Sequence, residues 1–151
     1  MMNRLFVKEE LYRLQDLAHA TAREKGWWPS SFTPTVNLEE KLVLIVSELS
    51  EAFEEYRRPE RDLKQIYYTT EQPGKPLGFP TEMADAYIRT LDLLGALGFR
   101  PDLDEMFSNF NFVLADRPDR LSFCLFDILG HIARATDNPR SHLSYVLAAL
   151  E

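Results

Sequence analysis

Apolar residues recur along the chain with the spacing of α-helices. The first such segment repeats leucine and alanine about every 3.6 residues and ends at Gly26. The second begins at Asn37, with Glu40 three residues on as a capping partner, and ends before Pro59. Both segments therefore predict amphipathic helices with one buried face. The buried stripe of the second consists of Leu38, Leu42, Ile45, Leu49, Phe53 and Tyr56.

Proline and glycine mark two long connections between the predicted helices. Residues 27–36 contain two prolines and predict a loop. Residues 59–80 are rich in both residue types, which predicts a long connection with a short helical piece at 60–68. Lys64, Tyr67, Tyr68 and Lys75 lie on this connection, where they are candidates to close over a substrate.

The rest of the sequence is also helical in pattern, and no window alternates as a strand does. Together the segments predict an all-α fold over residues 1–151: one domain with four core helices and short C-terminal helices. The later predicted helices run from about Pro80 to Leu97, from Asp102, over about 118–135, and from Asn138-Pro139 onwards.

Two of the helices carry carboxylates three residues apart. Glu48 and Glu51 lie on the second helix, and Glu82 and Asp85 lie on the third. Residues at this spacing share one helix face, where like charges repel unless a cation lies between them. Because apolar residues flank both pairs, we expect the carboxylates to face a helix–helix seam. Four hard oxygen ligands suit Mg²⁺ or Mn²⁺.

A simpler interpretation of these pairs is a solvated acidic surface. The chain has 24 Asp and Glu residues, so such pairs arise by chance, as with Glu51 and Glu54. The sequence leaves the two interpretations nearly balanced. A di-iron bundle is excluded, because that site needs Glu-x-x-His on two helices and neither pair has such a histidine.

Composition narrows the classes of partner. The chain has 151 residues and a formal net charge of −7, which disfavours binding to nucleic acid. It does not exclude a small phosphorylated ligand if metal ions bridge the charges. The single cysteine, Cys124, excludes an internal disulfide and is expected in the core. Charged residues near the start and the lack of a long apolar run predict a cytoplasmic protein without membrane segments.

Around the acidic pairs the sequence resembles the MazG-like, all-α nucleoside triphosphate pyrophosphohydrolase superfamily. Its pattern of Glu-x-x-Glu followed by Glu-x-x-Asp falls on the two pairs described above. The flanks add to the likeness: Asn37–Ala52 reads NLEEKLVLIVSELSEA, and Lys75–Asp85 reads KPLGFPTEMAD. The turn Lys25–Trp28 is also similar. The resemblance covers about residues 15–100 and points to a small bacterial or phage-type member.

The resemblance implies a Mg²⁺-dependent hydrolase that cleaves a (deoxy)nucleoside triphosphate between the α and β phosphates, as in house-cleaning of the nucleotide pool. Glu48, Glu51, Glu82 and Asp85 would be the metal ligands, with Glu48 and Glu51 as catalytic residues. Two cations about 3.5–4 Å apart would activate a water and neutralise the leaving pyrophosphate. The resemblance also implies a homo-oligomer, a dimer or tetramer.

The substrate-binding candidates each have a plainer alternative. Trp27 and Trp28 are candidates either to stack on a nucleobase or to pack in the hydrophobic core. His19 is a candidate either to bind substrate or to make a structural polar contact. Arg89, on the Glu82 face, is a candidate phosphate ligand or a partner of Asp85 or Asp92. Lys75 is a candidate for closing over the substrate.

The sequence also departs from the family pattern. Ser47 stands where the family often has an acid, and residues 107–111 lack the usual lysine, although Arg117–Arg120 keeps the basic part. The missing lysine supports one alternative, a non-enzymatic dimerisation or nucleotide-sensing module. A second alternative, a phosphoribosyl-ATP pyrophosphohydrolase, stays within the superfamily and is less favoured, because the Ser-Glu-x-Ser-Glu flank resembles the small MazG-like group. A P-loop ATPase is excluded, because Pro76 follows Gly74-Lys75.

Overall fold

The computed structural model of the protein describes residues 4–28, 37–71, 73–108 and 121–150. It is mainly helical, as the apolar pattern predicts. The elements are α1 Arg4–Glu24, α2 Leu38–Tyr56, β1 Tyr67–Tyr68, β2 Pro76–Leu77, α3 Phe79–Ala96, α4 Leu103–Ser108, α5 Leu121–Arg134 and α6 Pro139–Leu150. Residues 29–36 of the loop predicted over 27–36, and the basic segment Arg117–Arg120, lie outside the described residues. None of the described helices is long and apolar enough to cross a membrane.

Local signals place the helix ends where the sequence predicts them. Asn37 caps α2, its side-chain oxygen accepting from the Glu40 backbone N–H at 3.1 Å. Gly26 and Gly98 follow α1 and α3 with positive φ angles of 74° and 73°, a conformation that glycine adopts readily. Asn138 caps α6 by accepting from the Ser141 backbone N–H at 3.3 Å.

Helix α3 is the centre of the packing and touches α1, α2 and α6. Ile45 on α2, Leu94 on α3 and Leu143 on α6 are completely or almost completely buried in one apolar core. Cys124 on α5 is buried as well, as expected. The α2–α3 contact is the most extensive, so the two acid-bearing helices are held against each other by the core.

The connection between α2 and α3 differs from the prediction. The prediction of a short helical piece at 60–68 is wrong. This stretch forms turns and then β1, which pairs antiparallel with β2. Gly78 explains part of the difference. Its φ of 112° is a glycine conformation, and a Cβ there would lie 2.9 Å from the Gln65 carbonyl oxygen. The backbone at Gly78 therefore passes too close to the turn at Gln65 to leave room for a side chain.

The C-terminal helices bring together two histidines for which the sequence indicated no partner. His131 Nδ1 lies 3.1 Å from His142 Nδ1, and the His131 ring stacks on Tyr145 at 3.6 Å. The Tyr145 hydroxyl donates to Asp127. Burial is the main cause, and this hydrogen bond the second, of a rise in the pKa of Tyr145 to about 12. The phenol therefore stays protonated.

Candidate metal and nucleotide site

Three of the four predicted metal ligands converge between α2 and α3. Glu48, Glu51 and Glu82 each offer a carboxylate oxygen, and these oxygens lie within 4.8 Å of one another. Glu48 and Glu82 are buried, while Glu51 is exposed and open to solvent. Among the described residues, this is the one group of three such side chains that could hold a metal ion. We call these three residues the acidic cluster.

Asp85 lies beside the acidic cluster but is not one of the three converging ligands. It is half-buried on α3, one turn after Glu82. Its charge contributes to the raised pKa of Glu82, and Lys75 lies near enough to oppose the rise in the pKa of both groups. Lys75, predicted as a substrate ligand, therefore belongs to the electrostatic surroundings of the site.

Burial makes two carboxyl groups at this site, those of Glu82 and Asp85, costly to ionise. For Glu82, the effect has two causes. Burial raises the pKa of Glu82 above its ordinary value, and neighbouring carboxylates, Glu51 first, raise it further. Burial also raises the pKa of Asp85, with Glu48 adding to the rise and Arg89 opposing it. A bound cation would reverse this effect, because opposite charge favours the ionised carboxylates.

Arg89 contacts a different carboxylate from those the sequence suggested. Its Nε donates to Glu48 Oε1 at 2.5 Å, whereas Asp85 and Asp92 were the predicted partners. The Glu48 side chain is only 8% exposed, so the guanidinium offsets a buried negative charge. Because the Arg89 side chain is 35% exposed, it also remains accessible from a neighbouring cavity.

That cavity, of about 410 Å³, is lined from both α2 and α3, and Arg89 connects it to Glu48 of the acidic cluster. We call it the Trp27 cavity. Its volume falls within the range of small-molecule sites, and its walls combine aromatic, aliphatic, basic and acidic groups. The lining residues are Trp27, Lys41, Leu44, Arg89, Asp92 and Leu93. Trp27 is 55% exposed, so one wall of the cavity is an accessible indole ring.

Asp92 organises the back of the Trp27 cavity. It accepts from the Trp28 indole N–H, with Nε1 at 2.9 and 3.0 Å from its two carboxylate oxygens. Its Oδ1 also lies 2.7 Å from His19 Nδ1. Lys41 covers the other side of Trp28, with Nζ 4.3 Å from the ring centroid. Asp92 thus joins α3 to α1 and to the turn that carries both tryptophans.

The five predicted substrate residues therefore fall into different roles. Trp27 and Arg89 line the cavity. Trp28 is buried, and both Trp28 and His19 contact Asp92 behind the cavity. These contacts support a structural role for both residues rather than direct binding of substrate. Sequence reasoning missed Lys41 and Leu44 as lining residues. Their position one to two turns before Glu48 on the same helix was the available signal.

Comparisons with known proteins add no identification. No model of a known protein family matches the chain, and no curated protein or solved structure matches it either. The functional assignment consequently rests on the site itself.

The raised carboxylate pKa values predict how magnesium and pH act together on stability. Without metal, the folded protein binds protons at Glu82 and Asp85 more readily than the unfolded chain does. These groups therefore contribute less to the free energy of unfolding as pH rises through their raised pKa values. Since Mg²⁺ competes with those protons, we expect it to raise Tm more at about pH 8 than at about pH 5. Thermal unfolding with and without Mg²⁺ measures this, and an equal shift at both pH values would contradict it.

Proposed function

We propose that the protein is a Mg²⁺-dependent pyrophosphohydrolase of (deoxy)nucleoside triphosphates, with the MazG-like character that its motif helices resemble. The observation that carries the proposal is a juxtaposition. Arg89, which donates to Glu48 of the acidic cluster, also lines a cavity that has an accessible indole and a second basic side chain, Lys41. Such a cavity suits a flat base joined to an anionic chain, and the carboxylates suit the cations that accompany phosphates.

The donor set fits magnesium or manganese. Glu48, Glu51 and Glu82 supply only carboxylate oxygens, the ligands that these hard cations prefer. When bound, such a cation neutralises phosphate charge and acidifies an associated water. No softer ligand belongs to this group, so the chemistry of the cluster favours Mg²⁺ over zinc.

The chain's own residues supply orientation and charge. Trp27 offers a face on which a base can stack, and Leu44 gives an apolar floor. Arg89, held by Glu48, is positioned between the Trp27 cavity and the acidic cluster, where an α-phosphate would lie. Its guanidinium has further N–H donors for phosphate oxygens.

The proposed reaction is a hydrolysis at the α-phosphorus. The oxygen of a water forms a bond to this phosphorus, and the bond to the bridging oxygen breaks. The bridging oxygen leaves with its electron pair on pyrophosphate, and a carboxylate accepts the proton of the water. Glu48 and Glu51 are the proposed acceptors. Glu51 is exposed to solvent, whereas Glu48 is already engaged by Arg89.

A second function has one observation in its favour. Because Arg89 already compensates the charge of Glu48, this carboxylate is less available to a cation than a free one. A nucleotide-sensing module that binds without hydrolysis would tolerate that ion pair. Binding of nucleotide without release of pyrophosphate would support the sensor and contradict the enzyme.

A pyrophosphate-release assay across the nucleoside triphosphates and phosphoribosyl-ATP, with and without Mg²⁺, tests the proposal. We expect turnover of at least one nucleotide that depends on the metal. Glu48→Gln should lower it by at least about 100-fold, since even groups that only orient metal ligands are worth about 10–100-fold. Glu39→Gln is the matched control, because Glu39 is an exposed acid on the same helix outside the cluster. Full activity of Glu48→Gln would overturn the assignment.

A further inference from the structure

A second cavity borders the acidic cluster at its other end. It has a volume of about 380 Å³, and Glu51 and Glu82 form one of its walls. Two arginines from the turns that follow α2, Arg58 and Arg61, also line it. Along α2 the order is therefore the Trp27 cavity, the acidic cluster and then this arginine cavity. Seven residues, about 10 Å of helix, separate Leu44 from Glu51.

A buried carboxylate holds the two arginines in place. Glu55, whose side chain is 11% exposed, accepts from Arg61 and lies 3.4 Å from Arg58 Nε. Arg61 is itself only 20% exposed, and its guanidinium lies 4.9 Å from the centre of the Tyr67 ring. These contacts hold the Arg61 guanidinium at the edge of the cavity, so it has little side-chain entropy left to lose on binding an anion, whereas the Arg58 side chain is 48% exposed.

The N–H donors of the two arginines exceed what Glu55 alone accepts, because two guanidinium groups carry ten of them. Their two positive charges share the cavity with four carboxylates, those of Glu51, Glu54, Glu55 and Glu82. Phosphate groups bind guanidinium groups through paired hydrogen bonds. The opposite wall, however, is acidic, so an anion can enter favourably only together with a cation at Glu51 and Glu82.

We infer that Arg58 and Arg61 form a subsite for the terminal phosphates of the substrate, which become the pyrophosphate product. The inference rests on the proposed function, because it extends the same substrate from the Trp27 cavity past the acidic cluster. It assigns the discrimination between triphosphate and monophosphate to the arginine cavity. The ligand class is a diphosphate group with its accompanying divalent cation, either attached to a nucleoside or free.

Calorimetric binding of inorganic pyrophosphate in the presence of Mg²⁺ tests the inference without relying on turnover. We expect Arg58→Gln to weaken this binding by about tenfold or more, while binding of a nucleoside monophosphate changes less than about twofold. Arg57→Gln is the matched control: it removes the same charge one residue away, but Arg57 pairs with exposed Glu54 and does not line the cavity. It should bind pyrophosphate as the unaltered protein does.

A further variant separates binding from folding. Arg61→Gln alone would leave Glu55 with less compensation in a buried position, so it is combined with Glu55→Gln. The double variant should remain folded and lose pyrophosphate affinity. Normal pyrophosphate binding by Arg58→Gln and by the folded double variant, or no Mg²⁺-dependent pyrophosphate binding by the unaltered protein, would overturn the inference.

The outcomes also distinguish this inference from the proposed function. If no nucleotide is hydrolysed but pyrophosphate binding depends on Mg²⁺ and Arg58, the hydrolase proposal fails and the diphosphate subsite stands. If nucleotides are hydrolysed but Arg58→Gln and the folded double variant both bind pyrophosphate normally, the hydrolase proposal stands and the subsite is rejected.

Discussion

Replacing Glu82 with glutamine is expected to abolish Mg²⁺-dependent turnover and, at the same time, to stabilise the metal-free protein. Glu82 is buried beside other carboxylates, and this environment raises its pKa. Its charge is therefore unfavourable to the metal-free fold, whereas a bound cation needs it. We expect Tm without metal to rise by about 2–4 °C, the shift that roughly 1 kcal/mol produces in a chain of this size.

Two measurements on Glu82→Gln check this pairing of effects. Pyrophosphate release should fall by at least about 100-fold, and added Mg²⁺ should no longer raise Tm. Glu39→Gln, which removes an exposed acid of the same charge, should change neither quantity appreciably. A metal-free variant that loses stability would contradict the unfavourable charge of Glu82. A variant that still gains Tm with Mg²⁺ as the unaltered protein does would show that Glu82 is not part of a cation site.

Replacing Asp92 with alanine is expected to have the largest effect on stability of the substitutions considered near the site. It removes the acceptor of the Trp28 indole N–H and the partner of His19. Leaving buried polar groups without partners costs about 1–3 kcal/mol each. We therefore expect a loss of about 3 kcal/mol in the free energy of unfolding, and a fall of roughly 6–12 °C in Tm.

Two further variants show whether the hydrogen bonds of Asp92 are responsible. Asp92→Asn keeps one acceptor oxygen, so its Tm should lie between those of the unaltered protein and Asp92→Ala. Asp16→Ala is the control, because Asp16 is 64% exposed and its ion pair with Arg100 is a surface contact worth about 0–1 kcal/mol. Since Trp28 and Trp27 share one turn, Asp92→Ala should also raise KM for nucleotide. Equal Tm values for the Asp92→Ala and Asp16→Ala variants would contradict the role of Asp92 as the organiser of this region.

Interactions within a single helix were predictable from the sequence. The period of the apolar residues, the Asn37 cap and the glycines after α1 and α3 act over a few residues, so the sequence contains them directly. The same holds for the carboxylate pairs, whose spacing puts Glu48 with Glu51 and Glu82 with Asp85 on shared faces. The long connection was less predictable, because Gly78 adopts its conformation where the backbone passes close to Gln65.

The tertiary structure decided which of these groups meet. Glu48 and Arg89 are 41 residues apart in the chain, and His19 and Asp92 are 73 apart, so no local pattern indicates that they pair. Packing of α3 against α2 and α1 creates both contacts and leaves cavities on either side of the acidic cluster. The sequence by itself determined the helices and the acids that they carry. The relative placement of helices in the packed core determined that three of those acids face one another, because burial of the apolar stripes sets the orientation of every side chain beside them.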